Sequence, residues 1–524
     1  PLTLEDVLNV VERLNGRPLA PSPSPAAPSS PGLVHGVIVQ FGGQTPLNLA
    51  HGLRAAGAPI IGTSVESIDL AEDRKAFDAL LERLGIGRPP GGTAHSVPEA
   101  VALAARLGYP VLVRPSYVLG GRGMEVCSDE KALRHFMANA IELSGLDGAP
   151  VLIDKFLDHA TEVDVDVVAD FPPLSSERAP SATSGSPAPN GDQTPAASQA
   201  LVCGVMEHIE EAGIHSGDSS CTIPPWSLSP DIVARIKSIA RGLARELRVC
   251  GLMNVQMAVK DDQIYILEVN PRASRTAPFV SKAVHVPWPS IAAKVMMGRS
   301  LAELDAAEAP DTGAFAVKES VFPFTKFPGV DIVLGPEMRS TGEVMGIDTT
   351  FGIAFAKGQI SSGAGLPTSG AVFLSVRESD RAAIVPVARR LAEMGFDIYA
   401  TAGTAAYLSA HDVFPTVLQK IATGVRPNVL DLMSDGKIHL VINTPTRTGW
   451  QTDEGKIRST AVRLGIPIVT TTTAAAACTR AIEALRAGDW TVAAMQDHKA
   501  RADQLARAAA APTPTTTPRT PARV

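Results

Sequence analysis

Apolar and polar positions change rhythm several times along the chain, and each change marks an element. TLEDVLNVVERL repeats apolar residues at helical spacing, so the chain opens on an acidic amphipathic helix. GVIVQF (36–41) and PIIG (59–62) are short apolar runs that predict buried strands, with a glycine turn and a helix from about Pro46 between them. AEDRKAFDALLERLG is strongly periodic and predicts one helix. Residues 1–72 thus predict part of a doubly wound, Rossmann-like α/β unit, which starts abruptly because a leading strand and turn do not precede its first helix.

From 73 to 300 an α+β pattern is predicted. SVPEAVALAARLG and SDEKALRHFMANAIEL are helices; PVLVRP, MEVC, VLIDKFL, TEVDVDVVAD and ALVCGVMEHIE are strands. After the helix DIVARIKSIARGLAREL, LMNVQMAVK and QIYILEVN form a hairpin across the polar turn DDQ. Residues 301–365 are expected to be helical and linking. Over 366–505, AVFLSVR, FDIYAT, VFPTVL, KIHLVINT and PIVTT alternate with helices, which predicts a compact parallel α/β domain. Stretches 18–31 and 172–198 and the tail 506–524 are rich in Pro, Ser, Thr and Ala. They lack the large side chains that offset ordering entropy, so two surface insertions and an unstructured tail are expected.

Composition narrows the function. Lys and Arg number 47 against 54 acids, net −7, without a long basic run, so nucleic-acid binding has little support. No stretch approaches the roughly 20 apolar residues of a membrane span, and the first segment is no secretory signal. Cys127, Cys203, Cys221, Cys250 and Cys478 are scattered, as expected for buried reduced thiols of a cytoplasmic protein. None sits in the Gly-x-Cys-x-Gly turn of a glutaminase, so any glutamine would be hydrolysed by another chain.

ILEVNPRASRT (266–276) crowds charge at the end of an apolar strand. Glu268 and Asn270 share a face, and Gln256 lies on the facing strand. These oxygen donors suit Mg²⁺ completed by phosphates; zinc is disfavoured, since no His or Cys joins them. Any one of the three alone would read as a polar strand end. SYVLGGRGM joins strand to strand, which fits a flap over phosphates better than a P-loop, although most such turns are only turns. Glu162, Asp164 and Asp166 alternate with valines and read as the polar face of a half-exposed strand. His215, in a polar loop, contacts a nucleotide or is merely exposed.

VIVQFGGQTPLNLA, VRPSYVLGGRGMEV, MEHIEEAGIHSGDSS, LMNVQMAVK, LEVNPRASRT, FPGVDIVLGPEMRSTGEVMG and YATAGTAAYL resemble the C-terminal half of the carbamoyl-phosphate synthase large subunit. That resemblance covers nearly the whole chain outside the low-complexity segments. It implies a partial pre-ATP-grasp domain, an ATP-grasp domain and a methylglyoxal-synthase-like allosteric domain. The implied reaction is phosphorylation of carbamate by ATP, the last step of synthesis from bicarbonate, ammonia and two ATP, for arginine and pyrimidine biosynthesis.

In that family Arg74, Arg114, Gly120 and Gly121 would meet ATP phosphates, Lys155 and Leu157 the adenine, and Glu162 the ribose. Gly213, Ile214, His215 and Ser216 would line the nucleotide pocket. Gln256, Glu268 and Asn270 would hold Mg²⁺ or Mn²⁺ at two sites, with K⁺ a further ion. Arg272 and Arg275 would face carbamate and the γ-phosphoryl group. Arg381, Thr401, Thr404, Lys420 and Asn443 would bind a UMP-like effector, although Pro445 replaces a hydroxyl residue and Arg381 a lysine of some relatives. His208, Glu210, Asp218 and Glu319 match an ornithine site, or form a structural polar network. The resemblance also implies a glutaminase small subunit and an N-terminal half as partners, so the chain is expected to be a fragment. The competing readings are another ATP-grasp ligase, such as a biotin carboxylase relative, and a catalytically silent effector-binding module.

Overall fold

The computed structural model describes residues 2–19, 33–115, 124–144, 151–172, 198–309, 311–327, 330–445, 449, 451–488, 490–498 and 500. Most of both low-complexity stretches, the tail, and the glycine loop with Gly120 and Gly121 lie outside them.

In the leading segment, α1 (Leu4–Asn15) is capped by the Thr3 hydroxyl. Its apolar face, Leu4, Val7 and Leu8, packs on Val39, Leu47, Ala50 and Leu53. The helix expected near Pro46 forms as α2 (Gln44–Leu47) and α3 (Ala50–Ala55). Both expected strands contract to a single parallel bridge, Val37 to Ile60. Two short parallel segments, with no third strand beside them among the described residues, make too few ladder bonds to extend further. The single helix expected over AEDRKAFDALLERLG is also corrected. Asp73 leaves helical geometry (φ −75°, ψ 109°) and its carboxylate accepts from Ala76 N, so α4 (Val65–Glu72) ends and α5 (Arg74–Arg83) begins.

A small antiparallel sheet follows: β1 (Gly91–Ala94), β2 (Val111–Pro115), β3 (Glu125–Cys127) and β4 (Val151–Lys155), in the order β1-β4-β2-β3. Helices α6 (Val97–Leu107) and α7 (Glu130–Ser144) back it, burying Leu103, Val111, Val113, Leu133, Phe136 and Ile153.

The large sheet contains β5 (Thr161–Asp170), β6 (Ala200–Glu211), β7 (Cys221–Ile223), β8 (Cys250–Lys260), β9 (Gln263–Asn270), β10 (Phe315–Val321) and β11 (Gly342–Asp348). Its order is β11-β10-β7-β6-β5-β8-β9, antiparallel throughout. The predicted hairpin is β8–β9, whose turn residues Asp261 and Asp262 both take positive φ (50° and 59°). On one face Val163, Val165, Val167, Val255 and Met257 pack against Ile236, Ala240 and Leu243 of α8 (Pro230–Glu246). On the other, Val168, Leu252 and Met206 pack under α9 (Ala277–Ala283) and α10 (Trp288–Met296). The rest of that second face carries polar side chains. Residues 301–365 are corrected from a helical linker: they supply β10 and β11 to this sheet before α11 (Phe351–Ser362). Lys318, Glu319 and Ser320 are buried in β10, so apolar alternation does not betray the strand.

The last domain is parallel, as expected: β12 (Ala371–Ser375), α12 (Arg381–Glu393), β13 (Asp397–Thr401), α13 (Ala402–Ser409), β14 (Thr416–Leu418), α14 (Val429–Ser434), β15 (Leu440–Asn443), α15 (Asp453–Leu464), β16 (Ile468–Val469) and α16 (Thr472–Ala487). Its strand order is β14-β13-β12-β15-β16. All five cysteines are free, four of them buried. Among the described residues no helix is long and apolar enough to cross a membrane.

Ile236 is fully buried between α8 and the sheet. Ile236→Ala should cost about 2–5 kcal/mol, read as a lower unfolding midpoint in denaturant with the native circular dichroism retained.

Candidate active site

Strand register builds the polar face. Asp164 lies opposite Gln256 and Asp166 opposite Asn254 across β5–β8. Gln256 lies opposite Glu268 and Asn254 opposite Asn270 across β8–β9. Two polar rows therefore cross three neighbouring strands, and the three expected metal ligands occupy one end of them. The half-exposed reading of β5 is overturned: Glu162, Asp164 and Asp166 are only 5%, 2% and 3% exposed. Both faces of this central strand are covered, and its carboxylates survive burial through partners from other strands. His208 Nε2 meets Asp164 Oδ2 at 2.8 Å. Asn254 Nδ2 donates to Asp164 and Asp166, at 3.2 and 3.1 Å. Ser274 and Thr276 hydroxyls donate to Asp166 at 2.7 and 2.8 Å, and Gly213 N donates to Glu162 at 3.2 Å.

Burial opposes charge throughout this floor, and the partners decide the outcome. It pushes Glu162 up to about 7 and Asp166 up to about 6. Asp164 instead stays below the ordinary carboxylate range, because the hydrogen bond and charge of His208 outweigh burial. For His208 burial disfavours the cation, but Cys221, Asp164 and Glu162 draw its pKa well above the usual imidazole value.

At the open edge the pattern reverses. Glu268 is exposed, and neither its carboxylate nor the Asn270 amide makes a hydrogen bond among the described residues. Gln256 donates its amide nitrogen to Ser216 Oγ at 3.4 Å, which leaves its carbonyl oxygen for another partner. One carboxylate and two amide oxygens, poised beside a charged floor, fit a hard divalent cation that keeps waters and phosphate oxygens as further ligands. Just beyond, Arg272 Nη1 donates to Ala273 O at 3.2 Å, while its buried Nε has no partner among the described residues. Burial lowers the Arg272 pKa, so the guanidinium is costly to keep there without an anion. Arg275 rests on the Met338 sulfur.

Arg74 and Arg114 converge on Asp154, Arg74 by a forked pair and Arg114 at 3.3 Å. Arg88 is close enough that burial and then the Arg74 charge depress its pKa. Arg88 is itself paired with Asp78, so Arg74 and Arg114 share one buried carboxylate and leave a single positive surplus suited to phosphate. Lys155 is tied to the carbonyls of Gly108 and Tyr109, at 2.9 and 3.1 Å. Leu157 joins Ala160, Ala212, Ala258 and Leu267 in a small apolar shelf beside the polar rows. The Gly213–Ser216 loop borders that shelf: Gly213 has φ +103°, and a Cβ there would lie 2.6 Å from the Phe156 ring. Ile214 is half-buried within this loop. His215 is also half-buried, accepts from Gly217 N at 2.9 Å, and is kept neutral by burial, which lowers its pKa. Lys318 Nζ donates to Ser216 O at 3.0 Å.

The C-terminal candidates gather at the carboxyl ends of β12, β13 and β15. Thr401 Oγ1 donates to Thr404 Oγ1 at 3.2 Å, which accepts from Val376 N at 3.2 Å. The Arg381 guanidinium lies against Gly403, where a Cβ would come within 2.9 Å of it. Asn443 bridges Ser375 O at 3.0 Å and Arg458 Nη1 at 2.9 Å. Lys420 is exposed beyond β14. The second candidate set divides. His208 belongs to the floor, whereas Glu210 and Glu319 both meet Ser220, at 2.6 Å each, and Asp218 accepts from Arg339 N and Ser340 N at 2.8 Å. Asp158, His159 and Glu211 also cluster, but Arg377 lies 3.6 Å from both carboxylates and compensates their charge.

Sequence reasoning missed Asp154, Asn254, Ser274 and Thr276. Asn254 was within reach, being two residues before Gln256 on the same face; the others depend on distant partners.

Burial, then Glu210, pushes Glu319 up to about 8. Between the ordinary carboxylate range and that value the folded chain holds a proton that the unfolded chain has lost, so stability falls as pH rises. Glu319→Gln mimics the protonated form. It should leave the unfolding temperature unchanged near pH 5 and raise it near pH 9; parallel curves would show that no such proton is held.

Residues 73–172 and 195–304 match the carbamoyl-phosphate synthase L chain, ATP binding domain. Residues 1–70 match the carbamoyl phosphate synthase preATP-grasp domain, and 383–470 the MGS-like domain. A carbamoyl phosphate synthase large chain from Rhodopirellula baltica is 48% identical over 490 residues, 93% of this chain and 41% of the relative. The large chain, C-terminal section, from Methanocaldococcus jannaschii is 45% identical over 511 residues, 96% of this chain and 76% of the relative. Among solved structures, a biotin carboxylase β,γ-ATP complex from Campylobacter jejuni aligns with TM-score 0.41 and 19% identity, over 55% of this chain and 60% of that one. This chain spans about two fifths of the Rhodopirellula relative and about three quarters of the archaeal section. It belongs to the carbamoyl-phosphate synthase large-chain family.

Proposed function

We propose that this chain is the carbamate-phosphorylating ATP-grasp unit of a carbamoyl-phosphate synthase, joined to an effector-binding domain. The observation that carries the reading is the alignment of Gln256 opposite Glu268, with Asn270, Arg272 and Arg275 following on the same strand end. Gln256, Glu268 and Asn270 would hold divalent cations, Mg²⁺ or Mn²⁺ at two sites, which would neutralise charge on the transferring phosphoryl group. Arg74 and Arg114 hold phosphates, Leu157 and the apolar shelf receive adenine beside Lys155, and Glu162 meets the ribose. Gly213, Ile214, His215 and Ser216 close the nucleotide pocket. Gly120 and Gly121 belong to the proposed phosphate flap.

Carbamate is already an anion, so its oxygen attacks the γ-phosphorus without a base as the bond to ADP breaks. Arg272 and Arg275 orient it and offset the developing charge. Domain limits of 1–72, 73–300, 301–365 and 366–505 go with this reading, although 301–365 shares the main sheet. In the parent enzyme, carbamate would come from bicarbonate, a first ATP and ammonia released by a glutaminase subunit, and the product would serve arginine and pyrimidine synthesis in the cytoplasm. Arg381, Thr401, Thr404, Lys420 and Asn443 would receive a UMP-like effector. The second set, His208, Glu210, Asp218 and Glu319, is better supported as polar framework, since each side chain already has protein partners. K⁺ at this floor is a further proposal.

The test is ATP formation from carbamoyl phosphate and MgADP by the purified chain. The wild type should turn over, and Glu268→Gln should lower kcat by about 100-fold or more. A folded, nucleotide-binding chain that makes no ATP would defeat the reading for this chain.

A further inference from the structure

Gln40 lies in the leading segment, 231 residues from the turn it reaches. Its side chain is fully buried. The amide nitrogen donates to Pro271 O at 2.7 Å and to Thr63 Oγ1 at 2.9 Å, and the amide oxygen accepts from Thr63 N at 3.0 Å. Gln40's own backbone oxygen accepts from Ala273 N at 3.0 Å. One residue therefore grips the chain immediately before and immediately after Arg272. Thr63 anchors the grip in turn: its hydroxyl accepts from Cys250 N at 3.0 Å and donates to Cys250 O at 3.2 Å, at the start of β8. Gly62 makes room for this arrangement, since a Cβ there would collide with the Gln40 amide.

The other side of the same turn is fixed by Asp166, through Ser274 and Thr276. Arg272 stands within the first clamp and beside the second, and its buried Nε has no hydrogen-bond partner among the described residues. The main chain on each side of it is pinned, yet among the described residues its guanidinium makes one hydrogen bond, from Nη1 to Ala273 O, which leaves donors for a ligand. A residue serving only to glue two segments together would need one bond to the turn, not a pair flanking a single side chain. The geometry points to Gln40 as a positioning residue for phosphoryl transfer: it fixes the aim of Arg272, so that the leading segment completes the active site. This rests on the function proposed above.

Gln40→Met keeps the volume and removes the side-chain hydrogen bonds; Thr63→Val removes the hydroxyl that orients Gln40. In the ATP-forming assay both should lower kcat, Gln40→Met by about 10–100-fold, because a misplacement near 1 Å costs on that order. The KM for ADP should stay within about threefold, since Arg74, Arg114 and the Gly213–Ser216 loop stand on other elements. Ile236→Ala serves as a destabilised control on the opposite face of the sheet, expected to retain kcat. A Gln40→Met chain with a lowered unfolding temperature and unchanged kcat would reduce Gln40 to a structural role and overturn the inference.

Hydrogen exchange supplies a readout that does not need turnover. Gln40→Met should accelerate exchange of the 272–276 amides at least about tenfold while leaving 213–217 unchanged. Unaltered exchange of 272–276 overturns the inference even if the wild type makes no ATP, an outcome that by itself would count against the functional reading instead.

Discussion

The buried bond between Asp164 and His208, 2.8 Å long, is the constraint on which the site depends. A carboxylate in the middle of a sheet, covered on both faces, is tolerated only when it is paired and its remaining lone pairs are used. Asp164 meets that condition with His208 and Asn254, and Asp166 meets it with Asn254, Ser274 and Thr276. These bonds lock β5, β6 and β8 in register and carry the order on to β9. The candidate donors, half-buried Gln256 and Asn270 and exposed Glu268, then stand in rows that the buried floor has already aligned. Ligands prearranged in this way need little reorganisation when charge arrives.

The same floor explains why elements far apart in sequence meet here. Its apolar end is sealed by α9 and α10, its other end opens onto the Leu157 shelf, and the turn after β9 leaves it bearing two arginines. Asp331 holds Arg458 in a two-pronged ion pair, at 2.7 and 2.6 Å. Arg458 also donates to Asn443 in the C-terminal domain. The segment after Asp331 returns to the site, with Gly335 O accepting from His215 N and Met338 beneath Arg275. The leading segment and the chain after Asp331 therefore both reach the site around the strand end, and Asp331 ties the latter to the C-terminal domain.

Much of this was legible in the sequence, and the exceptions share a cause. The β8–β9 hairpin follows from two apolar runs and a polar turn, and the charge that LEVNPRASRT crowds at the end of an apolar strand marks a candidate site. The parallel C-terminal sheet follows from regular alternation of strand and helix. TEVDVDVV misled because alternation with charged residues ordinarily means one wet face; here the partner His208 lies 44 residues away. β10 hid for the same reason, its Lys318 and Glu319 being buried by long-range partners. Gln40 gave no signal at all, since a glutamine after a short apolar run is unremarkable until Pro271 is folded against it. Local pattern reveals periodicity, and only the fold reveals which polar groups pair.

The most direct test of the account is Mn²⁺ binding in the presence of ADP, followed by electron paramagnetic resonance on the wild type and on Glu268→Gln. The account predicts tight nucleotide-dependent Mn²⁺ binding that weakens by about tenfold or more in the variant, since even an indirect contact to a metal ligand is worth that much. Equal Mn²⁺ affinity in the two folded proteins would contradict the claim that the β8–β9 strand end is the metal and phosphate site.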